Sequence, residues 1–439
     1  MSVAAWYKGA PPMLPDATGE AMPRAGARRW LIAGFPALRH RNFRLFIAGQ
    51  GVSLIGTWMQ SVAQSWLVYR VSGSRFALGV VAFAGYLPIL CLAPAAGVVA
   101  DRVERHRLIV VTQALAMLLA LALGTLVATR LVTVAAVVVI AGCLGAVSAF
   151  DIPLRQAFIV EMVGPEDLPN AIALNSSIFN AARVVGPALA GSLVAAVGEA
   201  ACFFLNAASY LAVLAALLSM RLNRVRRSAE TPSPVLAGFL SGLDYVRHEP
   251  PLRNLLILLG IVSGLGLQYS ILIPVFAKEI FHAGATGYGL LVTAAGIGSV
   301  VSALHLAARR YSRTQHRRNL LAGLGMFSVG VLGLTATRRL GFALWFQALA
   351  GYGAIRYLAT TNTLLQLLVD ERYRGRVMGL HTVMFLGTAS AGSLVLGAVA
   401  QRFGAPAAAA IAGAVSLACG SWLATRLRRL AMRERQAAA

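Results

Sequence analysis

Four stretches of this chain, 132–150, 200–220, 319–337 and 405–423, contain no Lys, Arg, Asp or Glu. Runs of this length and character need an apolar solvent. About 20 apolar residues in an α-helix cross the ~30 Å hydrocarbon layer of a bilayer. Backbone exposed to lipid must satisfy its own N–H and C=O groups, which a helix does. Composition agrees: 58% of the 439 residues are hydrophobic and 13% are charged, against about 25% charged in soluble domains. These features exclude a soluble enzyme, a secreted disulfide scaffold and a disordered chain.

Windows of about 19 residues predict an all-α membrane protein with twelve transmembrane helices. The expected spans are 45–69, 76–100, 108–129, 132–151, 168–197 and 200–220, then 254–277, 286–308, 319–337, 341–369, 378–401 and 405–425. The chain carries 39 Lys plus Arg against 16 Asp plus Glu, a formal net charge of +23. In a soluble protein this would suggest nucleic acid, but here the basic residues gather at span ends. With both termini inside, 30 of them fall on the inner side and 7 on the outer, leaving Arg183 and Arg356 within spans. The positive-inside rule therefore gives N-in, C-in topology, with lipid and not nucleic acid as the surrounding partner.

Residues 1–40 read as a flexible cytosolic tail, 41–220 as a six-helix half, 221–253 as a cytosolic linker, 254–425 as a second six-helix half, and 426–439 as a basic tail. The halves share weak internal matches. Arg105-His106-Arg107 and Gln315-His316-Arg317 are offset by 210 residues, as are Leu154-Arg155-Gln156 and Leu364-Leu365-Gln366, while Arg41-Asn42 and Arg253-Asn254 are offset by 212. Two duplicated six-helix halves point to a secondary transporter with its site near the midplane. The linker holds Thr231-Pro232-Ser233-Pro234 and a short expected helix, 235–247.

Other chemistries lack their residues. A P-loop needs Gly before its Lys, yet Lys8 follows Tyr7 and Lys278 follows Ala277. The seven histidines form no metal pair, and Cys91, Cys143, Cys202 and Cys419 fall in expected helices as small packing residues. No catalytic residues, metal or cofactor are expected, and the partner is a small-molecule substrate.

The loop Gly97-Val98-Val99-Ala100-Asp101-Arg102-Val103-Glu104-Arg105-His106-Arg107 resembles the cytoplasmic signature of the major facilitator superfamily. Gly97 permits close helix approach, and Asp101 can accept N–H groups at a helix N-terminus. The resemblance implies that this helix is the eleventh, beginning near Gly375 to Gly379. It also implies that Arg105 pairs with an acid at the end of helix four, for which Asp151 is the candidate, and that Gly97, Asp101, Arg102, Arg105 and Asp151 form a cytoplasmic gate. The plainer reading is a positively charged topogenic loop. The counterpart loop 309–318 keeps its positive charge but lacks the Asp.

Further runs are similar to the enterobactin-exporter-like, drug–proton antiporter branch. They are Gly56-Thr57-Trp58-Met59-Gln60 with Trp66-Leu67-Val68-Tyr69, the segment from Asp151 to Phe158 continuing through Leu168-Pro169-Asn170-Ala171, Asn180 to Pro187, and Arg374 to Gly379. The resemblance spans about residues 40–425 and implies alternating-access efflux with proton antiport by a monomer. Gly186, Pro187 and Gly191 resemble the antiporter motif of helix five, explained by close packing and a flexible bend.

Arg183 and Arg356 each lie near the centre of a span, where an Arg costs about 2.5–3.5 kcal/mol on insertion scales. No Asp or Glu occupies the middle of any span. Arg183 reads first as structural or gating and second as a substrate contact. Arg356 matches no family pattern and lies on the helix that lines the superfamily's cavity, so those readings reverse. Gln50, Ser53, Thr57, Gln60 and Gln64 are spaced 3, 4, 3 and 4, which puts them on one helix face toward a cavity, or toward interhelical hydrogen bonds. Gln268, Tyr269, Tyr86, Tyr352, Thr360 and Thr363 are weaker cavity candidates. Two central arginines without central acids suggest an anionic or polyphenolic amphipathic substrate such as a siderophore. The alternatives are a multidrug or macrolide-type pump, and a non-transporting sensor or scaffold. Asp101, Asp151 and His305 are the candidate proton sites.

Overall fold

The computed structural model describes residues 35–221, 235–309 and 311–438. A short 3-10 turn, Pro36–Arg39, leads into α1 (Arg41–Ser72), α2 (Arg75–Arg102), α3 (Arg105–Ala128), α4 (Val134–Val197) and α5 (Glu199–Leu218). Helix α6 (Val235–His248) is amphipathic and precedes α7 (Pro250–Ile280). The remainder is α8 (Gly284–Ala307), α9 (Arg313–Ala336) and α10 (Leu340–Leu368), then α11 (Glu371–Phe403) and α12 (Ala405–Ala438). Connections of a few residues make successive helices antiparallel neighbours. The signals that start them are local: Ser74 accepts from the Ala77 N–H at 3.2 Å, Thr133 from Ala136 at 3.2 Å, and Ser312 forms a capping box with Gln315.

Among the described residues, nine helices are long and apolar enough to cross a membrane. Two expected spans, 132–151 and 168–197, lie together in the 64-residue α4, which bends at Gly164 (φ 72, ψ 176) just before Pro165. The positive φ suits glycine, and Pro165 cannot donate a backbone hydrogen bond to carry the ladder across. Helices α1 and α10 fall outside the nine because Gln, Ser, Thr and Arg side chains lower their mean hydropathy. Of those side chains, Gln50, Ser53, Gln60, Gln347, Thr360 and Thr361 are buried.

The expected end of helix four at 151 is corrected. The helix runs on to 163 because Leu154, Phe158, Ile159, Met162 and Val163 repeat at helical spacing and pack with Phe43, Phe46 and Ile109 in one buried cluster. Asp151 therefore sits within the helix and not at its end.

That cluster draws only on residues 37–220. A second draws only on residues 239–423, and a third takes residues from both parts. The shared contacts gather where backbones approach closely. At the α4–α8 crossing, a Cβ on Gly191 would lie 2.9 Å from the Gly289 Cα. At the α2–α11 crossing, the Ser393 hydroxyl donates to the Gly79 carbonyl at 3.2 Å.

One end of the bundle is closed by polar contacts between the two parts. The Glu279 carboxylate on α7 accepts from the Tyr69 hydroxyl of α1 and from Arg75 of α2 at 2.6 Å. Gln401 Oε1 on α11 accepts from the backbone N–H of Arg75 at 2.9 Å and of Phe76 at 3.3 Å, so α11 caps the start of α2. Trp66 stacks on Tyr288 with centroids 6.1 Å apart.

Helix α7 is irregular, with π-turns at Val262–Gly266 and Phe276–Ile280 around a 3-10 turn at Leu267–Leu272. Gly264 faces Gly392 of α11 so closely that a Cβ on Gly392 would collide with the Gly264 carbonyl. Gln268 Nε2 donates to the Ser263 carbonyl at 3.0 Å, satisfying a backbone acceptor that the broken ladder frees.

Candidate functional site

Between the two parts lies a cavity of about 740 Å³, within the range of small-molecule sites. Helix α1 supplies one wall because its polar stripe cannot face lipid without cost. Ser53, Thr57, Gln60 and Gln64 line the cavity, whereas Gln50 is buried outside it. Thr57 donates to the Ser53 carbonyl at 2.9 Å, and Gln60 Oε1 accepts from Asn206 of α5 at 2.6 Å. On the facing wall Tyr269 donates to Gln347 Oε1 at 2.8 Å, and Gln268 and Tyr86 also reach the lining. Asn206 and Gln347 are lining residues that the sequence reading missed. Each is one buried amide in a long apolar helix, with no local pattern to mark it.

Three lining residues carry charge: Asp151, Arg155 and Arg183. Asp151 and Arg155 pair with each other one helical turn apart, and Asp151 also accepts from Thr112 and Gln113, both at 2.8 Å. Arg183, on the 165–197 arm of α4, has no ion pair or hydrogen bond among the described residues. Its guanidinium lies 5.7 Å from the centroid of the Trp58 ring, a cation–π contact. The cavity thus holds one internally neutralised pair and one free positive charge.

The two central arginines differ in their surroundings. Arg356 does not line the cavity, and the reason is a polar network that offsets its burial. It donates to Asn319 Oδ1 at 2.6 Å and to the Tyr352 hydroxyl at 2.8 Å. That hydroxyl lies 2.8 Å from His305 Nδ1. Arg356→Ala would leave the buried Asn319 Oδ1 without its donor, at about 1–3 kcal/mol, and leave Tyr352 with His305 alone. The expected result is a clear fall in apparent melting temperature, measured by scanning fluorimetry on purified protein, with unchanged order of substrate preference. Thr360 is also outside the cavity. It lines a second pocket of about 190 Å³ with His316, Tyr311 and Thr363.

The expected Arg105–Asp151 pair is corrected as well. Arg105 instead meets Glu161 at 2.8 Å and the Ala157 carbonyl at 3.4 Å. At 1.5 Å per residue, Glu161 is about 15 Å farther along the helix than Asp151, and Arg105 begins its own helix opposite that later turn. The surroundings of Gly97 and the side chains of Asp101 and Arg102 lie outside the described residues. At Gly375 and Gly379 an added Cβ would meet nothing within 4 Å.

Gly186 and Gly191 stand where α4 crosses its neighbours. A Cβ on Gly186 would lie 2.6 Å from the Trp58 Cβ and 2.9 Å from the Ile55 carbonyl of α1. Pro187 is buried between them, and a Cβ on Gly289 would lie 2.7 Å from the Pro187 carbonyl of α4. No group of three or more His, Cys, Asp or Glu able to hold a metal occurs among the described residues.

Residues 32–439 match the family model described as transmembrane secretion effector. The chain is 25% identical over 367 residues to the staphyloferrin A transporter of Staphylococcus aureus, covering 82% of this chain and 90% of that protein. It is 27% identical to the multidrug efflux pump Tap of Mycolicibacterium fortuitum, covering 81% and 87%. It is 25% identical to the enterobactin exporter EntS of Citrobacter koseri, covering 88% and 91%. The resemblance read from the sequence motifs is thereby matched. A solved structure of the nucleoside transporter NupG superposes with a TM-score of 0.65 at 12% identity, covering 88% of this chain and 98% of that one. This last similarity is one of fold.

Proposed function

We propose that this chain, which belongs to the transmembrane secretion effector family of the major facilitator superfamily, exports an amphipathic anion of the siderophore or polyphenol type by alternating access. The observation that carries this reading is Arg183, the one cavity charge with no ion pair or hydrogen bond among the described residues. A substrate carboxylate or catecholate supplies that partner, with aromatic walls at Trp58, Tyr86 and Phe179 for its apolar body. Relatives that carry staphyloferrin A and enterobactin support the reading.

The chain would cross the bacterial inner membrane twelve times as a monomer, with both termini inside. α4 then contributes two passes, and α1 and α10 one each. In that orientation the end closed by Glu279 and Gln401 faces outward, and the cavity opens toward the cytoplasm past Asp151 and Arg155. Residues 41–220 and 254–425 would be the two rocking halves.

Proton antiport is part of the proposal. Asp151 is the one carboxylate in the cavity lining and so its candidate carrier. Protonating it releases Arg155, which ties proton binding to the charge that a substrate anion meets. The second reading, a pump for neutral drugs, is favoured by the apolar share of the cavity wall and by the likeness to Tap.

Energised everted membrane vesicles test both readings by comparing a catecholate siderophore, a macrolide and a cationic dye. Selective siderophore uptake is expected. Uptake of macrolide or dye alone would sink the anion reading. Nigericin, which collapses the pH gradient, should abolish uptake, and unchanged uptake would remove the antiport step.

A further inference from the structure

We propose that the second pocket, between the adjoining ends of α8, α9 and α10, is a binding site for a phosphate group. The pocket measures about 190 Å³ and shares no lining residue with the large cavity. Its polar lining is Arg309, Tyr311, His316, Thr360 and Thr363, with no carboxylate.

Two observations point to a missing ligand. Thr360 is 1% exposed, and its hydroxyl has no hydrogen-bond partner; neither has the buried His316 Nδ1. Both residues face the same pocket. An unsatisfied buried polar atom costs about 1–3 kcal/mol, so two around one void mark a place that something polar fills. Water could meet the hydrogen-bonding need, but Arg309 in the lining favours an anion. Arg309 has no ion-pair partner among the described residues, and α9 begins at Arg313, so its positive N-terminal end adds to the field. The guanidinium fork matches two phosphate oxygens, while Thr360 and His316 donate to the others.

The phosphate could belong to a lipid headgroup or to a soluble ester. Val301 and Leu304 on α8, 50% and 65% exposed, carry an apolar surface away from the pocket on which acyl chains can lie. The site also touches the buried network around Arg356. Tyr311 donates to the His305 carbonyl at 3.4 Å, and Thr360 lies one helical turn beyond Arg356. Occupancy would therefore steady the packing of α8 against α10.

Native mass spectrometry of the delipidated full-length protein tests the site, with short-chain phosphatidylglycerol against diacylglycerol. A parallel arm measures melting temperature in inorganic phosphate against chloride. The variants are Arg309→Gln, on an exposed side chain, and Thr360→Val, which keeps shape and removes the unpartnered hydroxyl. Arg338→Gln, remote at the start of α10, is the control. Phosphatidylglycerol should be retained by wild type and control, about tenfold less by either pocket variant, and diacylglycerol by none. If inorganic phosphate stabilises wild type and control but neither pocket variant, while the lipid does not bind, the site holds and its ligand is a soluble phosphate. Equal binding by wild type and both pocket variants, or no binding of either probe to wild type, overturns the proposal.

Discussion

Replacing Arg183 by Ala is expected to weaken binding of an anionic substrate by about 10- to 100-fold, the worth of a charge-assisted hydrogen bond in a dry site. Arg183→Lys should recover part of it, because an ammonium keeps the charge but loses the planar fork. A neutral macrolide should bind both variants as it binds wild type. The measurement is equilibrium binding to purified protein, followed by uptake into energised vesicles. Because Arg183 has no ion-pair partner among the described residues, its removal leaves no buried acid behind, and the melting temperature should hold steady or rise. Arg356→Ala is expected to do the reverse, costing stability and sparing selectivity. A loss of stability in Arg183→Ala with intact anion binding would reassign Arg183 to the scaffold.

The second large effect is expected at the α4–α8 crossing. A Cβ on Gly289 would lie 2.7 Å from both the Gly191 Cα and the Pro187 carbonyl, so Gly289→Leu cannot keep this approach. Overpacking costs about 1–3 kcal/mol, which shifts a two-state equilibrium roughly 5- to 150-fold. The penalty falls on the state in which this end is closed. Transport should fail while the protein still reaches the membrane, and a cysteine at Tyr288, which is now buried against Trp66, should become reactive to a membrane-impermeant maleimide added from outside. Unchanged labelling with normal transport would mean that this crossing does not move. Gly191→Leu should behave alike, since it enters the same contact from the other side.

Much of this was legible in the chain. Uncharged runs fixed the helical character, and the 3-4 spacing of Ser53, Thr57, Gln60 and Gln64 marked a wall of the cavity, because polarity along an apolar helix has one low-cost place to go. The arginines were harder. Sequence position puts Arg183 and Arg356 alike at mid-span, and what separates them is whether another helix brings a partner. Asn319 and Tyr352 reach Arg356, and only a cation–π ring reaches Arg183. Tertiary proximity of this kind has no local signature. The continuation of the fourth helix past its expected end has a different cause. The uncharged run ends at Asp151, with Arg155 soon after, yet Leu154, Phe158 and Met162 hold the helix together well past it.

The borrowed cap on α2 has a kinetic meaning. Ser74 caps its own helix, but the N–H groups of Arg75 and Phe76 depend on Gln401, a side chain more than 300 residues away. When the two parts separate at this end, those amides must be rehydrated before the helix start is stable again, a step comparable with losing an N-cap, about 0.5–2 kcal/mol. In an alternating-access cycle of the kind proposed, opening this end would therefore begin with a small hydration barrier that a bound substrate has to outweigh.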